Sequence, residues 1–245
     1  MTMPEQASSA VKSLTAYEAV WFDAADTLIT IADSPGLFAS CLAAHSLSVS
    51  EDRIRQALDD AFRNLYYGSK PEQHAACTPD SDRSFWLNFY RYMLERLGLW
   101  TLLDAGARDR LCDELYERYH APEHYIVFDD VLPVMEKLRQ SGLRMAVVSN
   151  FAPALPRILS DKGIASYVDP IIVSTLVGFE KPDPRIFRHA LELTGLRPDQ
   201  VLYVGDHEIN DVWAPAQVGI QAVRIKRYPG QHGDGITSLT ELFDL

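Results

Sequence analysis

The chain has 245 residues, 47% of them hydrophobic, with 34 acidic against 23 basic side chains and a formal net charge of -11. That length suffices for one large domain or two modest ones. The acidic balance argues against a surface built for nucleic acid or an anionic membrane, both of which need clustered Lys and Arg, yet it leaves room for a bound divalent cation. No stretch approaches the roughly 18 apolar residues of a membrane span. The opening MTMPEQASSA lacks the basic and apolar regions of a secretion signal and reads as a short tail. Cys41, Cys77 and Cys112 are odd in number and far apart. They read as reduced thiols of a cytoplasmic protein, with no metal-binding spacing among them.

In chain order, the first short apolar run is YEAVWFD (17–23), read as a buried strand. From about residue 33 to 126 the pattern turns helical, with no strand expected. DRIRQALDDAFRNLYYG puts Ile54, Leu58, Ala61, Phe62 and Leu65 on one face; SFWLNFYRYMLERLG does the same with Phe85, Phe89, Tyr92, Met93 and Leu97. DRLCDELYERY adds a third helix. The aromatic stripes of these helices are read as core packing. Residues 130–141 form another helix, with Val131, Val134, Met135 and Leu138 inward and Gly142 as its stop. Four more strands follow at LRMAVVSN (143–150), VDPIIVST (168–175), QVLYVGD (200–206) and IQAVRIK (220–226). Strands alternating with helices imply right-handed crossovers and a parallel sheet. The expected fold is therefore an α/β, doubly wound, Rossmann-like three-layer core (1–31 and 127–245) with an inserted all-helical cap (32–126).

Ligand crevices in such folds lie outside the carboxyl ends of the strands, and each of those ends carries polar residues here. The first delivers Asp23, Asp26 and Thr27, the second Ser149 and Asn150. The loop after the third delivers Lys181 in GFEKPDPRIF, and the fourth delivers Asp206 and Asp211 in VGDHEIND. Singly, each reads as a turn, a helix cap or a solvated charge. Four such groups at the carboxyl ends of four parallel strands are hard to obtain as caps, and together they point to a site.

The motifs FDAADTL, VVSN, EKPDPRIF and GDHEIND, in this order and at these separations, resemble the haloacid dehalogenase-like (HAD) hydrolase superfamily, with a helical cap inserted after the first motif. Within it the chain is similar to the branch of the HAD-like domain-containing protein 3 and REG-2-like proteins, which also tends to lack the second acid of the first motif. The resemblance implies that Asp23 is a nucleophile forming a covalent aspartyl-phosphate, a route that splits one hard displacement into two easier ones. Attack of a carboxylate on a phosphoryl group needs a divalent ion, so Mg²⁺ is expected, held by Asp23, Asp206 and the backbone carbonyl of Ala25, with Asp211 acting through water or orienting the shell. Ser149 and Asn150 would hold the phosphoryl group, and Lys181 would pair with both nucleophile and transferring group. Thr27 and Asp26 would brace the loop. The expected partner is a small phosphorylated metabolite, with neither nucleic acid nor membrane.

Ala25 stands where phosphatases of this superfamily carry an aspartate that protonates the leaving group. General acid–base assistance is typically worth about 10²–10⁴ in rate. Three explanations stay open. The chain is a phosphatase for good leaving groups, or one borrowing a donor such as His45, His74 or water. It binds a phosphorylated ligand or a partner without turnover. Or it runs dehalogenase or phosphonatase chemistry. Dehalogenases of the superfamily lack the Gly205-Asp206 pair, and phosphonatases use a cap lysine, for which only Lys70 is available in a loop that reads as solvated. The order of preference is phosphatase, binding protein, then the third class.

Overall fold

The structure is a computed structural model that describes residues 11–66 and 77–245. The opening MTMPEQASSA, Lys70 and His74 lie outside the described residues. Strand β1 (Ala19–Phe22) is followed by β2 (Ile29–Ile31) and then by helices α1 (Ser34–Ala44), α2 (Glu51–Ala61), α3 (Pro79–Arg96) and α4 (Ala105–Tyr119). The chain continues through β3 (Tyr125–Val127), α5 (Val131–Gln140), β4 (Arg144–Ser149), α6 (Leu155–Asp161), β5 (Ile171–Val173) and a single turn α7 (Ser174–Val177). It ends with α8 (Arg185–Thr194), β6 (Val201–Gly205), the short α9 (Ala214–Ala216) and β7 (Gln221–Arg224).

The strands β5-β4-β1-β6-β7 form one sheet, and every neighbouring pair in it is parallel. Alternation along each strand divides the core between two faces. Val20, Phe22, Val147 and Val204 pack with α5 and α6, whereas Trp21, Ala146, Val148 and Tyr203 pack with α8. The sheet is thus covered by helices on both sides, as its nearly continuous apolar strands require.

Helices α1–α4 bury a separate apolar cluster that includes Phe38, Leu42, Ile54, Leu58, Phe89, Met93, Leu111 and Leu115. Their starts are capped: the Asp33 carboxylate accepts from Gly36 N–H, Thr78 forms a reciprocal box with Ser81, and Asp104 accepts from Ala107 N–H. The aromatic stripe of α3 packs within this cluster, with the Phe89 ring 5.0 Å from Phe62 and 5.2 Å from Trp86.

Two local expectations are corrected. The stretch 33–126 was expected to hold no strand, but β3 begins at Tyr125 and pairs antiparallel with β2, so the chain leaves and re-enters the sheet region along a two-stranded ribbon. Each strand has three residues, too few for an alternating pattern to register. The strand expected over 168–175 is only Ile171–Val173. Pro170 has no N–H for the ladder. After Val173 the side chains of Ser174 and Thr175 bond to the backbone of Phe151 instead, accepting from its N–H and donating to its carbonyl.

Candidate active site

Because β4, β1 and β6 are adjacent and parallel, their carboxyl ends lie side by side. Asp23 follows β1 directly, and its N–H continues the ladder by donating to Val204 O at 2.9 Å. Ser149 is the last residue of β4 and Asp206 the first after β6. Lys181 comes from the loop between α7 and α8.

Lys181 is the centre of the arrangement. Its ammonium, 2% exposed, donates to Asp23 Oδ1 at 2.7 Å, Asp211 Oδ1 at 2.6 Å and the Tyr203 hydroxyl at 3.0 Å. Three N–H groups meet three acceptors, which is the condition for burying an ammonium at all. Burial pulls the Lys181 value down, but the carboxylates of Asp211 and Asp23 outweigh it and hold the amine well above the usual lysine range. Tyr203 in turn donates to Val148 O at 2.7 Å.

Asp23, Asp206 and Asp211 each offer a carboxylate oxygen within 4.8 Å of the others. Three carboxylates that close cannot all ionise cheaply. Burial pushes Asp23 up to about 6, opposed by Lys181 and reinforced by Asp211. Burial, then the charges of Asp23 and Asp211, push Asp206 up to about 9. The three differ in commitment. Asp211 is fully engaged, accepting from Lys181 at one oxygen and from His207 N–H at 2.9 Å at the other, with the Tyr203 oxygen 3.2 Å from the first. Lys181 takes one oxygen of Asp23. Among the described residues no hydrogen bond or ion pair ends on the Asp206 carboxylate, and none ends on the Ala25 carbonyl. An acidic trio of this kind, two of its carboxylates underused and the third holding the frame, suits a small, hard dication.

The backbone carries its own requirements. A Cβ on Gly205 would fall 2.4 Å from Asp211 Cγ, so only glycine lets that carboxylate reach Lys181. Asp26 sits at φ 54°, in the left-handed region. Its Oδ1 accepts from Thr30 Oγ1 at 2.9 Å and the Tyr228 hydroxyl at 2.5 Å. The Asp26 side chain is therefore tied into the turn. The Thr27 hydroxyl is buried without a partner, and it is the Thr27 carbonyl that is anchored, by Arg227.

Ser149 is 1% exposed, and its hydroxyl makes no hydrogen bond of ordinary geometry, although it lies close enough to Asp23 to favour the ionised carboxylate. It is a buried donor held ready beside the nucleophile candidate. Asn150, expected to contact phosphoryl oxygens, has its amide occupied at both ends: Nδ2 donates to Lys181 O and Oδ1 accepts from Lys181 N–H, each at 2.7 Å. That side chain fixes the backbone of Lys181. His45 pairs with Glu114 at 3.0 Å within the helical segment.

Sequence reasoning passed over Tyr203, Arg227 and Tyr228. Tyr203 stands inside an apolar strand, and a phenol so placed needs a partner for its hydroxyl, which was the available signal. Arg227 and Tyr228 follow the last strand, at the same edge of the sheet as the other polar groups.

The pattern of the haloacid dehalogenase-like hydrolase family matches residues 17–219. The human haloacid dehalogenase-like hydrolase domain-containing protein 3 is 31% identical over 202 residues, spanning 82% of this chain and 78% of its own length. A phosphoserine phosphatase of Thermus thermophilus is 29% identical over 190 residues, 71% of this chain and 74% of the relative. Among solved structures, the HAD-hydrolase YfnB of Bacillus subtilis, crystallised with magnesium, superposes with a TM-score of 0.74 at 16% identity over 93% of this chain and 97% of that one.

Proposed function

Because the chain belongs to the haloacid dehalogenase-like hydrolases, we propose that it is a Mg²⁺-dependent phosphatase of small phosphorylated metabolites, working through an aspartyl-phosphate on Asp23. The observation that carries this reading is the convergence of Asp23, Asp206 and Asp211 around one point, with Lys181 bridging two of them.

Asp23 and Asp206, with the Ala25 carbonyl, would hold the cation. When bound it would supply charge neutralisation for a phosphoryl group approaching an anionic site. An Asp23 oxygen attacks phosphorus and the bond to the leaving oxygen breaks. That oxygen leaves with both bonding electrons and takes a proton from solvent, since the Ala25 methyl has none to give. Water then attacks the same phosphorus and gives up a proton to solvent, the bond to Asp23 breaks, and hydrogen phosphate departs with the carboxylate restored. Lys181 offsets the negative charge that develops at Asp23, and the Ser149 hydroxyl donates to a phosphoryl oxygen. Asp211 keeps Lys181 in place, and Asn150 holds its main chain.

Without an acid at Ala25, turnover should favour leaving groups that need no proton. The test is p-nitrophenyl phosphate: hydrolysis only with Mg²⁺, abolished by Asp23→Asn, supports the reading. Ala25 also favours a second reading, a protein that binds a phosphorylated ligand without turning it over. Mg²⁺-dependent phosphate binding with no hydrolysis of any phosphoester would select it. The related phosphoserine phosphatase adds support for phosphoester substrates over carbon–halogen ones.

A further inference from the structure

The loop after β7 holds the turn after β1 through two consecutive side chains. Arg227 donates to the Thr27 carbonyl from Nε at 3.0 Å and from Nη2 at 2.6 Å. Tyr228 donates to Asp26 Oδ1 at 2.5 Å. Neither side chain belongs to the strand-end groups assigned above to metal or phosphoryl contact. The guanidinium is itself fixed from three sides. Its side chain is 5% exposed, Nη1 donates to Asp130 Oδ2 at 2.8 Å, and Cζ lies 4.3 Å from the centre of the Phe128 ring. Asp130 Oδ2 also accepts from Ser238 Oγ and Leu239 N–H, so the C-terminal segment supports the same anchor.

What this anchor holds explains its use. The turn is strained at Asp26, whose positive φ an L side chain disfavours. Inside it, the amides of Thr27, Leu28 and Ile29 all converge on Ala24 O, and Asp26 N–H donates to Ile29 O at 2.8 Å. The same few residues carry the Asp23 carboxylate and the Ala25 carbonyl, whose separation must match a ligand shell. We infer that Arg227 and Tyr228 are positioning residues: they clamp residues 26 and 27 so that Asp23 and Ala25 keep their relative placement. The use of that placement in turnover rests on the phosphatase reading; the clamp itself does not.

The test compares Arg227→Ala and Tyr228→Phe with the native protein by peptide-resolved hydrogen exchange, alongside kinetics on p-nitrophenyl phosphate. Tyr228→Phe removes one hydroxyl and is the variant least able to disturb folding. Each variant should speed exchange across residues 24–30 by about 10- to 100-fold, the factor that losing a hydrogen bond to a charged group supports, while β1 and β6 stay protected. In both, kcat should fall with KM unchanged, and guanidinium ion in the buffer should restore kcat of Arg227→Ala but not of Tyr228→Phe. Unchanged exchange over 24–30, or exchange raised equally along β1 and β6, overturns the inference. So does a loosened turn with full kcat. If the native protein hydrolyses nothing, the exchange result still decides the clamp, and only the phosphatase reading fails.

Discussion

Gly205 and Asp211 are in a contact that no other residue at position 205 would allow, because an added Cβ would lie 2.4 Å from Asp211 Cγ and 2.5 Å from Asp211 Cβ. The carboxylate so admitted is the one that Lys181 and the His207 N–H hold. Gly205→Ala should therefore push Asp211 off Lys181. The expected result is a fall in kcat of at least about tenfold together with a lower melting temperature, at the scale of roughly 1–3 kcal/mol for an overpacked interior. Thermal melts and steady-state kinetics on one preparation check both.

The acid trio predicts how the metal effect depends on pH. A carboxyl whose folded value lies above its unfolded one favours the folded state while protonated; that contribution is complete below the unfolded value and is lost as pH rises to the folded one. For Asp206, pushed up to about 9, the window runs from about 4 to about 9, and for Asp23 from about 4 to about 6. In EDTA the protein should therefore lose stability across that window. Mg²⁺ favours the ionised carboxylates, so its shift of the melting temperature should grow from pH 5 to pH 8. A shift of equal size at both values would contradict the assignment.

Lys181 faces two carboxylates with 2% of its side chain exposed. Lys181→Met keeps most of the volume and removes the charge, leaving Asp23 and Asp211 as buried anions without their cation. Loss of one partner of a buried ion pair typically costs about 3–5 kcal/mol. Urea denaturation in EDTA should report a loss of that order at pH 7.5 and a smaller one at pH 5, where protonation relieves the repulsion. Activity should be absent throughout.

Much of this arrangement could be read from the chain itself, and the exceptions have physical causes. Buried parallel strands announce themselves as apolar runs, and the polar residue ending each run is visible beside it. Hence Asp23, Ser149, Asp206 and Asp211 were all singled out, and the structure brings the three acids within 4.8 Å of one another. The ribbon of Ile29–Ile31 with Tyr125–Val127 joins segments some 95 residues apart through three-residue strands, and no local pattern encodes that pairing. Asn150 is grouped with Ser149 from the sequence, but the use of its side chain is not visible there: which way a short amide turns depends on the loop it meets, and Lys181 supplies both a donor and an acceptor. Arg227 resembles any surface arginine until the Thr27 carbonyl is placed beneath it.

Ala25 is the one position where a substitution should add function. Its side chain is half-buried, two residues after Asp23, and a change of side chain leaves its backbone carbonyl in place. Ala25→Asp should raise kcat on alkyl phosphates by about 10²–10⁴ while changing p-nitrophenyl phosphate turnover little. No gain with Mg²⁺ binding intact would show that proton donation is not what limits the native protein.

The central claim is that Asp23 and Asp206 share one divalent ion. Titration with Mn²⁺, followed by electron paramagnetic resonance, tests it without requiring turnover. The native protein should bind one tight ion per chain, and both Asp23→Asn and Asp206→Asn should lose it with the folded state retained. Undiminished Mn²⁺ binding in either variant would contradict it.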